Sequence, residues 1–165
     1  YTDVPEINYG FGISLGWKGF DASLFMQGVG NVTRIIGGDA LYGASDNIER
    51  LGQIYADVAE KRWTTSNPNA TYPRLSMSKV ENNLQPSTYW QRNMSFLRLK
   101  NVEIGYTLPK HIYKRLGMSS IRVYAQGVNL LTFSKFKLWD PELDSNYGNI
   151  YPQMRTITLG LNLNF

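Results

Sequence analysis

The chain has 165 residues, a formal net charge of +4 and no cysteine, which excludes a disulfide framework and any site built on thiolates. Its Lys and Arg residues are scattered, so no basic stripe indicates a nucleic-acid partner. No apolar run approaches the roughly 20 residues of a transmembrane helix, although the alternating strands of a membrane barrel leave no such run either.

Two alternating segments at about 7–18 and 20–28 predict a β-hairpin. In the first segment, apolar side chains alternate with small or polar ones, so the two sets lie on opposite faces of a strand. The apolar residues are Tyr9, Phe11, Ile13, Leu15 and Trp17. Lys18-Gly19 supplies a tight turn between the strands. Gly10, Gly12 and Gly16, on the opposite face, are interpreted as wall positions where bulk is unwelcome.

From 29 to 94 the alternation disappears, and the sequence predicts a long outer loop. A short helix is expected inside it, after a cap at Ser45 or Asp46. The helical spacing is carried by Ile48, Leu51, Ile54, Tyr55 and Val58. Such a long excursion is unusual in a compact soluble domain but ordinary on the outer side of an outer-membrane barrel.

Strands resume at about 95–108 and 121–131, with a short turn between them. In the first of these, the apolar phase shifts from odd positions at Leu97 and Leu99 to even positions at Val102 and Ile104. A bulge near Lys100-Asn101 would explain the shift, as would a strand that leaves the bilayer there.

A second long outer loop, 132–154, precedes a strand at about 155–165. The apolar side chains predicted to face lipid are Ile157, Leu159, Leu161, Leu163 and Phe165. The small and polar residues between them would face a wet lumen. A strand of a soluble sandwich shows the same alternation and stays open as the alternative for these residues.

The order of strands and loops places both short turns on one side and both long loops on the other, as in an outer-membrane barrel. About five strands is fewer than the roughly eight of the smallest single-chain barrels. Either several chains each contribute strands, or this chain is the C-terminal piece of a larger protein. The second interpretation is the one we favour. The predicted fold class is all-β: the C-terminal antiparallel strands of a large transmembrane β-barrel with long extracellular loops.

Several runs carry a family resemblance: RWTTSNPNATYPRL at 62–75, SFLRLKNVEIGYTLP at 95–109, RVYAQGVNLLT at 122–132, Asp140-Pro141-Glu142 and the terminal strand. In these runs the chain resembles the SusC/RagA-type TonB-dependent transporters of Bacteroidetes outer membranes. The resemblance implies that residues 1–165 are the C-terminal fragment of a barrel of about 22 strands, with the plug domain outside this chain.

The resemblance also implies an outer-membrane importer of oligosaccharides or peptides that works with a SusD-like surface lipoprotein. It would be energised by the TonB complex through parts absent from this chain. Further expected partners are outer-membrane lipid and the barrel-assembly machinery. That machinery would recognise the terminal strand up to Phe165. No enzyme activity, cofactor or nucleic acid is expected. The alternative function is a non-transport extracellular β-domain, such as an adhesin or a carbohydrate-binding module.

Aromatic residues of the two loops are candidate contacts for substrate or partner, because flat rings stack on sugars and cap peptide side chains. They are Trp63, Tyr72, Tyr89, Trp90, Trp139 and Tyr147. The same rings could instead pack the loops into a stable lid.

Carboxylates at alternate positions of the second loop, Asp140, Glu142 and Asp144, are weak candidates for a Ca²⁺ site. They lack the spacing of an EF-hand, and solvated loop charges fit the pattern better. His111, the single histidine, falls in a predicted periplasmic turn with nothing nearby that suggests a catalytic dyad.

Overall fold

The computed structural model describes residues 2–42, 54–76, 78, 80–114 and 117–165. In chain order the strands are β1 Ile7–Trp17, β2 Phe20–Gly30, β3 Thr33–Ile35, β4 Gln91–Asn93, β5 Phe96–Thr107, β6 Ser120–Ser134 and β7 Thr156–Asn164. The helices are α1 Asp39–Tyr42, α2 Ala56–Lys61, α3 Glu81–Leu84 and α4 Lys110–Tyr113. No helix among the described residues is long and apolar enough to cross a membrane.

The chain divides into two compact units. The strand unit comprises Pro5–Asn31, Ser95–Lys135 and Gln153–Phe165. The loop unit comprises Tyr1–Val4, Val32–Met94 and Phe136–Pro152.

The strand unit is a five-stranded antiparallel sheet in the order β1-β2-β5-β6-β7, which confirms the predicted all-β class. The largest difference from the predicted bounds is in β6, which continues to Ser134 rather than 131. The predicted hairpin is present, since β1 pairs antiparallel with β2. In the turn between them, Lys18 and Gly19 both have positive φ, of 47° and 88°. Two consecutive positive φ values define the primed turn whose twist matches that of the strands it joins.

The predicted bulge in β5 is confirmed at Lys100. Leu99 pairs with Met26 of β2 and Asn101 with Phe25, so Lys100 is an extra residue. One extra residue changes which face the next side chain occupies. Leu99 and Val102, of opposite parity in the sequence, therefore lie on the same face of the sheet.

The loop unit has a core of its own. Ile36, Leu41, Val58, Trp90 and Met94 each expose 1% or less of their surface. Backbone hydrogen bonds join its separate segments, from Ile36 N to Trp90 O at 3.0 Å and from Met94 N to Val32 O at 2.9 Å. The unit also contains the small antiparallel pair β3-β4. The described residues of the 29–94 excursion thus include a set of fully buried apolar side chains.

The predicted helix differs from the one observed. Helix α2 begins at Ala56, whereas Ile54 and Tyr55 precede it. Tyr55 is extended, and its carbonyl accepts hydrogen bonds from Val58 N and Ala59 N at 3.0 Å each. Tyr55 is therefore the N-cap, and the apolar stripe does not lie along one helix. The remaining predicted members, Ile48 and Leu51, lie outside the described residues, as do the expected caps Ser45 and Asp46.

Candidate functional site

The sheet of the strand unit has one continuous apolar face. Its cross-strand register aligns rows of apolar side chains, each contributed by all five strands. One row is Trp17, Phe20, Tyr106, Val123 and Leu161, and the next is Leu15, Ala22, Ile104, Ala125 and Leu159. Most of these side chains are exposed, as shown by 80% for Leu159 and 57% for Ile104, whereas Ala22 and Tyr106 are partly covered. Four of the predicted lipid-facing residues, Ile157, Leu159, Leu161 and Leu163, belong to this face of β7 and expose 41% or more of their surface. The fifth, Phe165, follows the last residue of β7 and is 83% exposed.

The opposite face of the same sheet is polar and carries an ion-pair cluster. Arg122 on β6 donates from Nε to Asp21 Oδ1 at 3.0 Å, and its Nη2 donates to the other oxygen of Asp21. The same Nη2 donates to Glu103 Oε1 at 2.6 Å. One guanidinium thus ties three neighbouring strands, β2, β5 and β6, through charge-assisted hydrogen bonds.

Glycines on the polar face are covered by large side chains from adjacent strands. The ring of Tyr124 lies over Gly160, and a Cβ at Gly160 would overlap it. The guanidinium of Arg122 covers Gly105 in the same way. The Phe25 ring covers Gly10 and Gly12, where an added Cβ would be 3.1–3.2 Å from its nearest neighbours. Bulk is unwelcome at these positions because a neighbouring side chain, or at Gly12 the Leu24 carbonyl, already occupies the space. Gly16 differs, since an added Cβ there would meet only the Phe20 carbonyl at 3.9 Å, an ordinary contact.

In the loop unit, four of the six predicted aromatic contacts line one open cleft of about 600 Å³. Tyr72 and Trp90 form its inner part, since they are only 4% and 1% exposed. Trp63 and Tyr89 present more surface, 36% and 47%. The structure therefore brings together rings that lie up to 27 positions apart in the sequence (Trp63 to Trp90).

Hydrogen bonds hold three of these rings in place. Tyr72 Oη donates to Asp57 Oδ2 at 2.9 Å, and Tyr89 Oη donates to the Thr71 carbonyl at 2.6 Å. Trp90 Nε1 donates to the Asn83 carbonyl at 2.8 Å. Tyr89 and Trp90 also contact edge to face, with ring centroids 5.0 Å apart. Rings fixed in this way lose little further freedom when a ligand binds.

Electrostatics reinforce the contact between Tyr72 and α2. Burial, followed by the hydrogen bond to Asp57, raises the pKa of Tyr72 to about 12. The hydrogen bond from Lys61 lowers the pKa of the Asp57 carboxyl. Near neutral pH the Tyr72 phenol therefore stays protonated and donates a hydrogen bond to the ionised carboxylate of Asp57.

The cleft is completed by polar residues that the sequence did not single out. Asn82, Asn83, Gln85 and Ser87 contribute neutral polar groups, and Arg74 contributes a cation. These residues follow no periodicity, so no sequence signal could have selected them. Exposed rings beside neutral amides can stack on a flat ligand and hydrogen-bond to its hydroxyl, amide or carbonyl groups.

The two remaining aromatic candidates lie elsewhere in the loop unit. Trp139 packs among aromatic neighbours, with ring centroids 4.8 Å from Phe136 and 6.0 Å from Tyr55. Tyr147 is 57% exposed, and its ring lies against Gly38. Neither residue lines the cleft.

The carboxylates proposed for Ca²⁺ are engaged in different ways. Asp140 accepts a hydrogen bond from the Glu142 backbone N–H at 3.0 Å, and Asp144 pairs with Arg34 at 2.5 Å. Across the described ranges, no group of three or more His, Cys, Asp or Glu residues could hold a metal ion. His111 is exposed on α4.

No protein-family model matches the chain. It is 34% identical to TonB-dependent receptor P26 of Formosa agariphila, across 99% of this chain and 17% of that protein. TonB-dependent receptor P3 of the same organism is 31% identical, across 98% of this chain and 16% of that protein. TonB-dependent receptor SusC of Bacteroides thetaiotaomicron is 40% identical, across 48% of this chain and 8% of SusC. The chain thus spans less than a fifth of the length of these relatives.

Solved structures show the same likeness. The RagAB peptide importer in its open-open state matches with a TM-score of 0.75 and 30% identity, across 98% of this chain and 17% of the matched chain. The RagAB peptide transporter matches with a TM-score of 0.76 and 30% identity, across 99% and 18%. At this level of identity the likeness extends beyond the backbone fold to the sequence.

Proposed function

This chain is homologous to one portion of the SusC- and RagA-type TonB-dependent transporters, and we propose that it forms part of the wall and outer loops of an outer-membrane importer. In this proposal the importer takes up oligosaccharides or peptides, and a SusD-like surface lipoprotein assists the uptake. The observation that carries this proposal is the five-stranded sheet with one continuous exposed apolar face and one polar face.

A water-soluble β-domain would have to cover that apolar face with a core. Here its members are exposed, for instance Leu15 at 64%, Ile104 at 57% and Leu159 at 80%. Lipid provides the missing apolar surroundings, and the polar face then lines an aqueous lumen. Because five strands of one sheet show the same division, it does not depend on the pattern of any single strand.

Paired spin labels on β7 of the full-length transporter test this orientation. The chain itself contributes no cysteine, so single cysteines can be placed at Leu159 and at the adjacent Thr158. We expect the label at Leu159 to be accessible to oxygen dissolved in lipid, and the label at Thr158 to a water-soluble nickel complex. The reverse pattern, or equal access at both positions, would contradict a lipid-facing wall.

For cargo contact we propose the cleft around Trp63 and Tyr89. Support comes from the two exposed rings and from the uncharged amides beside them. Trp63→Ala with Tyr89→Ala should lower uptake of the labelled cargo and leave co-purification of the lipoprotein intact. Supplying oligosaccharides and peptides in separate assays identifies the cargo class.

For the lipoprotein we propose a different surface of the loop unit, on the segment 136–152. Tyr147, Ile150 and Tyr151 expose 57%, 46% and 77% of their surface, so one short segment offers three large apolar side chains that a partner protein could cover. Tyr147→Ala with Ile150→Ala should weaken co-purification of the lipoprotein. The two double variants serve as each other's control, since each is expected to affect one interaction directly. If the Trp63 and Tyr89 substitutions change neither uptake nor association, the cleft is a packing feature of the loop.

A further inference from the structure

The first short turn of the strand unit is bonded to the end of β5, and the described residues of the two short turns carry cations that form no ion pair there. The Gly19 carbonyl accepts a hydrogen bond from Thr107 N at 2.8 Å, which joins the β1-β2 turn to the end of β5. Helix α4 follows immediately, with Lys110 at its first position and Lys114 just after its last. Lys18, Lys110 and Lys114 together are called the basic turn surface.

Among the residues that the structure describes, no acidic residue pairs with this surface. The sequence from 108 to 119 contains Lys110, Lys114 and Arg115 and no Asp or Glu. Within the described part of the chain, no ion pair involves the three lysines of the basic turn surface. Asp21 and Glu103, the acidic residues of the strands that lead to these turns, lie on the polar face and are bound by Arg122.

Apolar and aromatic side chains accompany the lysines. The Lys18 Nζ lies 4.9 Å from the centre of the Trp17 ring, and Trp17 is 70% exposed. Phe20 packs on Tyr106 with ring centroids 4.4 Å apart. On α4, Ile112 is 41% exposed while Tyr113 is buried, so α4 is fixed at Tyr113 and turns an apolar side chain outward.

Cations beside exposed aromatic rings, at the end of an apolar face, match the chemistry of a phospholipid interface. The rings suit the boundary between acyl chains and headgroups, and the ammonium groups can reach headgroup phosphates. We propose that the basic turn surface binds the phosphate groups of anionic phospholipid. This inference rests on the proposed function, because it requires the apolar face to lie in lipid.

The size of the effect follows from the charge. Each basic residue near an anionic membrane surface contributes about fivefold to binding. Loss of two lysines should therefore lower selective retention of anionic lipid by about tenfold or more. Since the interaction is electrostatic, it should also weaken as salt is raised.

The test uses the purified full-length transporter in lipid nanodiscs of phosphatidylcholine with a minor fraction of phosphatidylglycerol. Native mass spectrometry measures the ratio of the two lipids retained by the protein. Lys110→Gln with Lys114→Gln is the test variant. Lys135→Gln with Lys137→Gln is the matched control, because both lysines are exposed, two positions apart and distant in sequence from the short turns.

We expect the wild type to retain phosphatidylglycerol selectively, the test variant to lose that selectivity and the control to keep it. Equal retention by wild type and test variant, or equal loss in the control, would overturn the proposal. When phosphatidylglycerol and lipopolysaccharide are both supplied, loss of the retained phosphatidylglycerol in favour of lipopolysaccharide at these lysines would also overturn the proposal.

If the test variant does not insert, the wild type still decides the question, since selectivity that is unchanged in high salt would refute an electrostatic site. Failure of the proposed function gives a different result, namely that the wild type itself does not form a heat-modifiable barrel in lipid.

Discussion

A lysine scan along β7 gives the strictest test of the lipid-facing wall. Neighbouring apolar positions on one strand face lie about 7 Å apart along the strand. At a strand tilt of about 40°, each step then changes depth in the membrane by about 5 Å. Ile157 to Phe165 therefore covers about 20 Å, most of the roughly 25 Å apolar band of such a barrel. Leu161 is the central position of this set.

Lysine at Leu161 should destabilise the full-length transporter by about 2–4 kcal/mol, and lysine at Ile157 or Phe165 by about 0–1 kcal/mol. Guanidinium unfolding in lipid vesicles measures the profile, and the folded fraction in outer membranes gives a second readout. Thr158→Lys is the control, because Thr158 pairs with Gln126 on the polar face. A flat profile, or a control as costly as Leu161→Lys, would refute the assignment of the apolar face to lipid.

Three further predictions concern contacts within each unit. Tyr72→Phe removes the hydrogen bond to Asp57 and should destabilise the loop unit by about 0.5–1.5 kcal/mol, measured by hydrogen exchange over 56–72. The same amides should lose protection from hydrogen exchange in acid. Because folding lowers the pKa of Asp57, the stability that its carboxylate adds is complete above the usual pKa of 3.8 and is lost as pH falls through the folded pKa. Protection that stays constant below that pH would contradict a role for the carboxylate. Gly19→Val should lower the free energy of unfolding by about 1–2 kcal/mol, because φ is +88° there and a Cβ would lie 2.9 Å from the Thr107 carbonyl. Gly16→Val is the control in guanidinium unfolding, because φ is not positive there and a Cβ would lie an ordinary 3.9 Å from the Phe20 carbonyl.

The strand unit was largely predictable because alternation is a local property of the sequence. The bulge in β5 was visible because one extra residue, Lys100, changes the parity of the apolar positions. The irregularity in β6 was not visible. There Gly127 and Leu131 pair with Val102 and Leu99, so β6 has two more residues than β2 across the same interval. Two extra residues preserve parity, and the apolar pattern continues as if the strand were regular.

The loop unit was much less predictable, because its contacts join residues without a shared period. Trp63 is positioned by a backbone hydrogen bond to the Tyr72 carbonyl at 2.8 Å, and Trp90 is held by the carbonyl of Asn83. Such contacts depend on the tertiary path of the chain. The aromatic residues could therefore be chosen by their chemistry, but which four of them share a cleft could not be read from the sequence.

The glycines beneath Tyr124 and Arg122 affect the free width of the proposed passage. Because Gly160 and Gly105 carry no side chains, the Tyr124 ring and the Arg122 guanidinium occupy the space directly over these glycines. In the proposed importer each large group would consequently project little into the passage, which would stay wide beside this wall although the lining residues are bulky. An alanine at Gly160 would push the Tyr124 ring inward and narrow that bore, so its effect should grow with the cross-section of the cargo.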